Sequence, residues 1–192
     1  MSDFEAIQKI KDERPTIRLA GLDPQSTVNG VGIRALYFSQ GCPHHCKGCF
    51  NPETWPFTKG KISYIDELME DLTSWPYLDG VTFTGGDPFA QAKPFAIFAQ
   101  QIKENTKLNI WAYTGYTWEE LMKLSKKDES VKLLIAHVDV IMDGRFEKDK
   151  LVSECKNPND YPFRGSTNQR AIDVQKSLKS KKVVLFTAFN NK

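Results

Sequence analysis

Four short runs of apolar, β-prone residues stand out along the chain, at 35–38 (ALYF), 81–84 (VTFT), 108–114 (LNIWAYT) and 138–142 (VDVIM), and each predicts a strand. Between the first three, the apolar positions change to helical spacing. Ile65, Leu68, Met69 and Leu72 form one stripe after an N-cap candidate at Ser63, and Phe95, Phe98, Ala99 and Ile102 form a second, with Pro94 in the first turn. A third helix is expected from T-W-E-E, where Thr117 and Glu120 have capping-box spacing, through Leu121, Met122 and Leu124 to the polar stretch S-K-K-D-E-S. Residues 144–170 are rich in charge, Asn, Pro and Gly and read as irregular. Weaker strand signals follow at 171–174 and 183–186.

Strands that alternate with helices and are apolar almost throughout favour a parallel sheet buried on both faces, so the class is α/β. In such a sheet the loops after the strands emerge at one rim, where α/β folds build their sites. Four unusual loops follow the four strands: a cysteine cluster, G-G-D-P (85–88), G-Y-T (115–117) and D-G-R (143–145). They are expected to converge.

Composition narrows the picture further. A chain of 192 residues with 40% hydrophobic content can bury one sizeable core, and 26 basic against 24 acidic residues leaves a formal charge of +2. That surplus argues for neither nucleic acid nor a membrane surface as partner. The longest nearly apolar run, residues 183–189, is far short of the roughly 20 residues a spanning helix needs, and the first residues lack the apolar stretch of a secretory signal. A cytosolic location is expected.

Of the four cysteines, Cys42, Cys46 and Cys49 form a C-x3-C-x2-C triplet, and Cys155 stands far away. Pro43 and Gly48 disfavour a regular helix there, so the three sulfurs can curl around one centre. In a reducing compartment such a cluster points to a metal site rather than to disulfides. Spacing alone leaves zinc and an iron–sulfur cluster as rivals, because His44 or His45 could complete a zinc site, whereas three thiolates on a cubane would leave one iron open. Cys155 reads as an ordinary unpaired thiol.

The triplet followed by F-N-P-E-T-W, the G-G-D-P after a strand, W-A-Y-T-G-Y, and Y-P-F-R-G-S-T-N-Q-R together resemble the activating proteins of anaerobic ribonucleoside-triphosphate reductases, radical S-adenosylmethionine enzymes that activate glycyl-radical enzymes. The resemblance spans roughly residues 28–178, which leaves 1–27 as an N-terminal extension and 179–192 as a tail. It implies a partial (β/α) barrel of the radical SAM type with a mostly parallel, curved sheet, since a full barrel takes about 250 residues.

The resemblance also implies roles. Cys42, Cys46 and Cys49 would ligate a 4Fe-4S cluster whose fourth iron takes the amino and carboxylate groups of S-adenosylmethionine. Gly48 and Phe50 would line the adenine side. Gly85 and Gly86 would receive the methionine ammonium, which a backbone carbonyl approaches closely only where no side chain intervenes. Asp87 would contact the same ammonium or cap the following helix, and Asp143 with Arg145 would touch the ribose or carboxylate. The implied reaction passes one electron from the reduced cluster to the sulfonium, breaks the sulfur–C5′ bond, and takes a hydrogen from a glycine of the reductase large subunit. The implied partners are that subunit and an electron donor such as flavodoxin. Two other readings stay open: activation of another glycyl-radical enzyme, and a non-catalytic zinc-binding module. Tyr113, Thr114 and Tyr116 are rim candidates, Trp111 reads as core, and Arg164, Gly165, Asn168 and Gln169 as a word that orders the last loop.

Overall fold

The computed structural model describes residues 14–189. Its elements run β1 (Thr16–Ser26), β2 (Arg34–Ser39), β3 (Lys61–Tyr64), α1 (Ile65–Thr73), β4 (Gly80–Gly85), α2 (Ala92–Asn105), β5 (Asn109–Tyr113), α3 (Trp118–Leu124), α4 (Glu129–His137), β6 (Val140–Asp143), β7 (Arg170–Asp173) and α5 (Val174–Ser180). One sheet holds the strands in the order β3-β1-β2-β4-β5-β6-β7. The centre β2-β4-β5-β6 is parallel, and the flanking pairings β3-β1, β1-β2 and β6-β7 are antiparallel. β3 ends the sheet on one side and β7, flanked only by the 183–186 segment, on the other, so among the described residues the sheet is open rather than closed into a barrel.

Both faces of the central strands are covered, which is why they read as continuous apolar runs. Alternate residues Tyr37, Val81, Phe83, Ile110, Ala112 and Ile141 pack with the apolar stripes of α1, α2, α3 and α4. At its heart Phe83 meets Phe95 and Tyr37 meets Phe98, each with ring centroids 4.8 Å apart. The opposite face carries Trp111, Val140, Met142 and Ala171, covered by Phe163, Phe186 and Phe189. Trp111 is therefore core, as expected.

Three elements depart from the expected pattern. The residues 16–26 fall in the expected N-terminal extension, yet they form β1, which lies between β3 and β2. Only one face of this strand is buried, and its register shifts twice against β2, so no clean alternation marks it. Ser63 stands in β3 rather than at an N-cap; α1 starts at Ile65, whose N–H is satisfied by the Pro15 carbonyl at 3.0 Å. The 183–186 segment forms no regular strand. It follows β7 through Asp173 N–H to Val184 O (2.9 Å), Phe186 N–H to Ala171 O (2.8 Å) and a single bridge at Leu185, and it brings Phe186 onto Trp111.

The capping box of α3 is present in full: Thr117 Oγ1 accepts from Glu120 N–H at 3.2 Å, and Glu120 accepts from Thr117 N–H at 2.8 Å. Thr117→Ala is expected to cost about 1 kcal/mol, read as a lowered urea midpoint with an unchanged slope. Among the described residues no helix is long and apolar enough to cross a membrane.

Candidate functional site

β2 delivers the chain to Gly41, and residues 41–55 leave and return as one closed excursion. Gly41 N–H bonds to Thr54 O at 2.7 Å and Cys42 N–H to Trp55 O at 3.1 Å, and the Gln40 side chain ties down the Glu53 and Pro56 carbonyls. Within the excursion a turn from Cys46 O to Cys49 N–H (3.0 Å) brings the last two cysteines together. All three thiols are half-buried and line one cavity of about 130 Å³. Its remaining wall comes from the other strand ends: Thr84, Gly85 and Gly86 after β4, Tyr113 to Gly115 after β5, and Gly144 after β6. The four loops do converge at the carboxyl rim.

Each sulfur faces backbone donors. The Asn51 N–H bonds to Cys49 at 3.4 Å, and the backbone N–H groups of His44 and His45 pull the Cys42 thiol down, as that of Phe146 does the Cys46 thiol. Burial pushes the Cys42 thiol up to about 11, against the pull of those donors, and burial raises Cys46 too. Half-buried sulfurs, each given N–H donors, suit thiolates that carry an iron–sulfur cluster, since such hydrogen bonds set its potential. Neither histidine turns to the sulfurs as a ligand would. His44 Nε2 lies 2.7 Å from Asp87 Oδ2, and His45 packs on Trp55 with centroids 5.0 Å apart. Among the described residues no three His, Cys, Asp or Glu side chains are placed to hold a single metal ion.

The glycine loop docks on the cysteine loop through its backbone. Gly86 N–H bonds to Ser39 O (2.8 Å) and Asp87 N–H to Gly41 O (2.9 Å). Gly85 has φ +85°, and a Cβ on Gly86 would lie 2.4 Å from the Gly41 carbonyl oxygen. Gly86→Ala is therefore expected to force the two loops apart and cost about 1–3 kcal/mol, visible as a fall in the unfolding midpoint.

Several expected site residues are placed differently. Gly48 (φ +77°) serves the Cys46–Cys49 turn and is not in the cavity wall. Phe50 is in the wall, 67% exposed, and rests on Phe146 at 4.9 Å. The Asp87 carboxylate is wholly buried and taken up by protein donors, among them the Phe89 N–H of the turn that precedes α2. Asp143 and Arg145 do not pair, and neither lines the cavity. Asp143 is 1% exposed and binds Arg170 Nε at 3.0 Å and Trp118 N–H at 2.7 Å, whereas Arg145 reaches Glu120 at 3.3 Å on the surface. One is buried and the other exposed on either side of Gly144, so adjacency in sequence does not bring them together.

The F-R-G-S-T-N-Q-R word explains itself in the structure. Gln169 accepts from Gly165 and Ser166 N–H (2.9 and 3.1 Å) and donates to Gly144 O (3.0 Å), and Asn168 donates to Arg145 O. Tyr113 donates to Phe163 O at 2.7 Å from the cavity side. These bonds hold a second cavity of about 490 Å³, lined in part by Arg164 and Gly165, that shares Phe50, Asn51, Thr84, Tyr113, Phe146 and Gln169 with the first. Phe146 and Thr84, which stand in the walls of both cavities, carry no local signal in the sequence, and only the fold brings them to the rim.

Comparison with known proteins agrees with this geometry. Residues 28–172 match the family model described as a 4Fe-4S single cluster domain. The anaerobic ribonucleoside-triphosphate reductase-activating proteins of Vibrio cholerae and Pasteurella multocida are 37% and 36% identical over 155 residues, covering 76% of this chain and 91% and 90% of theirs. That of Enterobacteria phage T4 is 33% identical over 153 residues, 77% of this chain and 88% of the relative. A solved structure of QueE from Escherichia coli has a TM-score of 0.41 at 17% identity over 60% of this chain and 57% of that one, too slight a likeness to argue from. With a triplet of cysteines at the rim of an α/β sheet and relatives that match over nearly their whole length, the chain belongs to the anaerobic ribonucleoside-triphosphate reductase-activating proteins, a family of iron–sulfur activators.

Proposed function

We propose that this chain activates an anaerobic ribonucleoside-triphosphate reductase by cleaving S-adenosylmethionine reductively at a 4Fe-4S cluster, leaving a glycyl radical on the reductase large subunit. The observation that carries the reading is the composition of one cavity: three cysteines on one wall, a side-chain-free glycine loop on the other, and Cys155 elsewhere. Three thiolates leave one iron for an exchangeable ligand. Together the reduced cluster and the sulfonium supply one electron and a broken sulfur–C5′ bond, with methionine and 5′-deoxyadenosine as the products once a glycine hydrogen has been taken.

The chain's own residues bind, orient and exclude water. Cys42, Cys46 and Cys49 hold the cluster, and their N–H donors stabilise its reduced charge. Gly85 and Gly86 offer backbone to the methionine ammonium, and Phe50 covers the adenine. The adjoining larger cavity gives the glycine segment of the reductase a way to the cleaved bond. A cytosolic setting and a flavodoxin-type donor fit this chemistry.

The test is anaerobic purification, reconstitution with iron and sulfide, reduction, and assay of 5′-deoxyadenosine release, followed by electron paramagnetic resonance of the reductase subunit. Deoxyadenosine release with a glycyl radical on that subunit supports the reading. Release without that radical points to another glycyl-radical partner, and a colourless zinc protein without release overturns the enzyme reading altogether.

A further inference from the structure

Asp87 sits at the meeting point of three loops, and its carboxylate, 0% exposed, accepts four hydrogen bonds. Oδ1 takes the Phe89 N–H at 2.9 Å. Oδ2 takes His44 Nε2 at 2.7 Å, Thr114 Oγ1 at 2.8 Å and Gly115 N–H at 3.0 Å. A carboxylate only accepts, so Nε2 of His44 carries the proton. The imidazole has a made-to-measure niche: a Cβ on Gly115 would fall 2.3 Å from its ring, and Tyr116 packs edge-on at 4.4 Å. With His44 held there, the backbone turns left-handed at His45 (φ 48°), and the N–H groups of both residues meet the Cys42 sulfur. Consecutive N–H groups turned to one acceptor in this way form an anion-binding concavity.

We propose that Asp87 is a positioning residue which, by gripping His44, holds two backbone N–H groups against the Cys42 sulfur and thereby sets the reduction potential of the cysteine-bound cluster. The proposal deepens the reading above and rests on it for the cluster. It differs from a direct contact between Asp87 and the ammonium of S-adenosylmethionine, because the four protein donors occupy the carboxylate from every side that the loops present. Donors to a cluster sulfur favour the reduced, more negative state, so their loss lowers the potential.

Asp87→Asn tests this, because it removes the charge and one acceptor oxygen, and the new N–H2 must face either the Phe89 N–H or the Gly115 N–H, neither of which accepts. His44→Leu removes the grip from the other side, and His44→Gln keeps a donor at the position of Nε2. In the cluster-free protein, alkylation of Cys42 by iodoacetamide, measured by mass spectrometry against Cys155 in the same molecule, is expected to slow roughly threefold in Asp87→Asn and His44→Leu, because a thiolate that loses its N–H donors is less populated and its greater nucleophilicity offsets only part of that loss. His44→Gln is expected to stay within about twofold of the parent, since the donor is restored. In reconstituted protein without S-adenosylmethionine, a redox titration followed by electron paramagnetic resonance is expected to give a lower potential in the first two variants and a recovered one in the third.

Unchanged thiol reactivity and potential in Asp87→Asn, with only S-adenosylmethionine binding weakened, would overturn the proposal in favour of the ammonium contact. If Asp87→Asn does not fold by circular dichroism, His44→Leu against His44→Gln decides the matter. Should no form of the protein take up a cluster, the functional reading fails, and the alkylation rates still report whether Asp87 positions Cys42.

Discussion

Cys42→Ala, Cys46→Ala and Cys49→Ala are each expected to lose the cluster, with iron and sulfide falling to background and 5′-deoxyadenosine release abolished, while Cys155→Ala keeps both. The argument is coordination. A cubane has four irons, and this chain offers three sulfurs around one cavity, so removing any of them leaves two protein ligands for four metal sites. Cys155 ends a short turn at Val152–Glu154, its N–H bonded to Val152 O at 3.1 Å, and it lines neither cavity. Iron and sulfide analysis with the visible absorption of reconstituted protein checks the outcome. Loss of the cluster in Cys155→Ala alone would make that residue a ligand and fill the corner that the proposed reaction leaves to S-adenosylmethionine.

The second large effect is on stability. Arg170→Met is expected to cost about 2–3 kcal/mol, and Arg145→Met less than about 0.5 kcal/mol. Arg170 is the partner of a buried carboxylate: it binds Asp143 through Nε and a second nitrogen, and it also reaches Glu119 at 2.8 Å. Removing it strands the Asp143 charge in the rim. The figure stays below the usual 3–5 kcal/mol for a broken buried pair because the Arg170 side chain keeps 35% of its exposure. Arg145 sits against Glu120 with both side chains in water, where such pairs contribute little. Urea unfolding of the two variants checks that Arg170, and not the surface Arg145, carries the buried charge of Asp143. The acid limb adds a check. Arg170 holds Glu119 below its ordinary 4.5, so that share of stability is complete above pH 4.5 and lost as pH falls through the lower folded value. Arg170→Met should flatten that limb.

Legibility followed burial. The four central strands were readable because two covered faces demand apolar residues at every position, and the capping box of α3 because its partners are three residues apart. β1 and β3 were not: T-I-R-L-A-G-L-D-P-Q-S has one buried face, a Gly and a Pro, and β3 is four residues at an edge. α4 hid behind the polar run K-K-D-E-S, whose Asp128 turns out to be its N-cap, with Val131, Leu134 and Ile135 as the buried stripe. α5 buries only Val174 and Ser177, too short a stripe to announce a helix, and is capped by Asp173, which closes a strand.

By itself the sequence determined the cysteine triplet and its loop, because three thiols within eight residues need no tertiary contact to become neighbours, and it determined that the loops after the strands share one rim, because parallel strands all end on the same side. Only the tertiary structure decided the partners of the buried charges. Asp87 found His44, Thr114 and Gly115 across 27 to 43 residues, and Asp143 found Arg170 across 27 rather than Arg145 next door. A charge withdrawn from water must take whichever donors the packed loops bring within about 3 Å, and that is a property of the assembled rim, which no local spacing encodes.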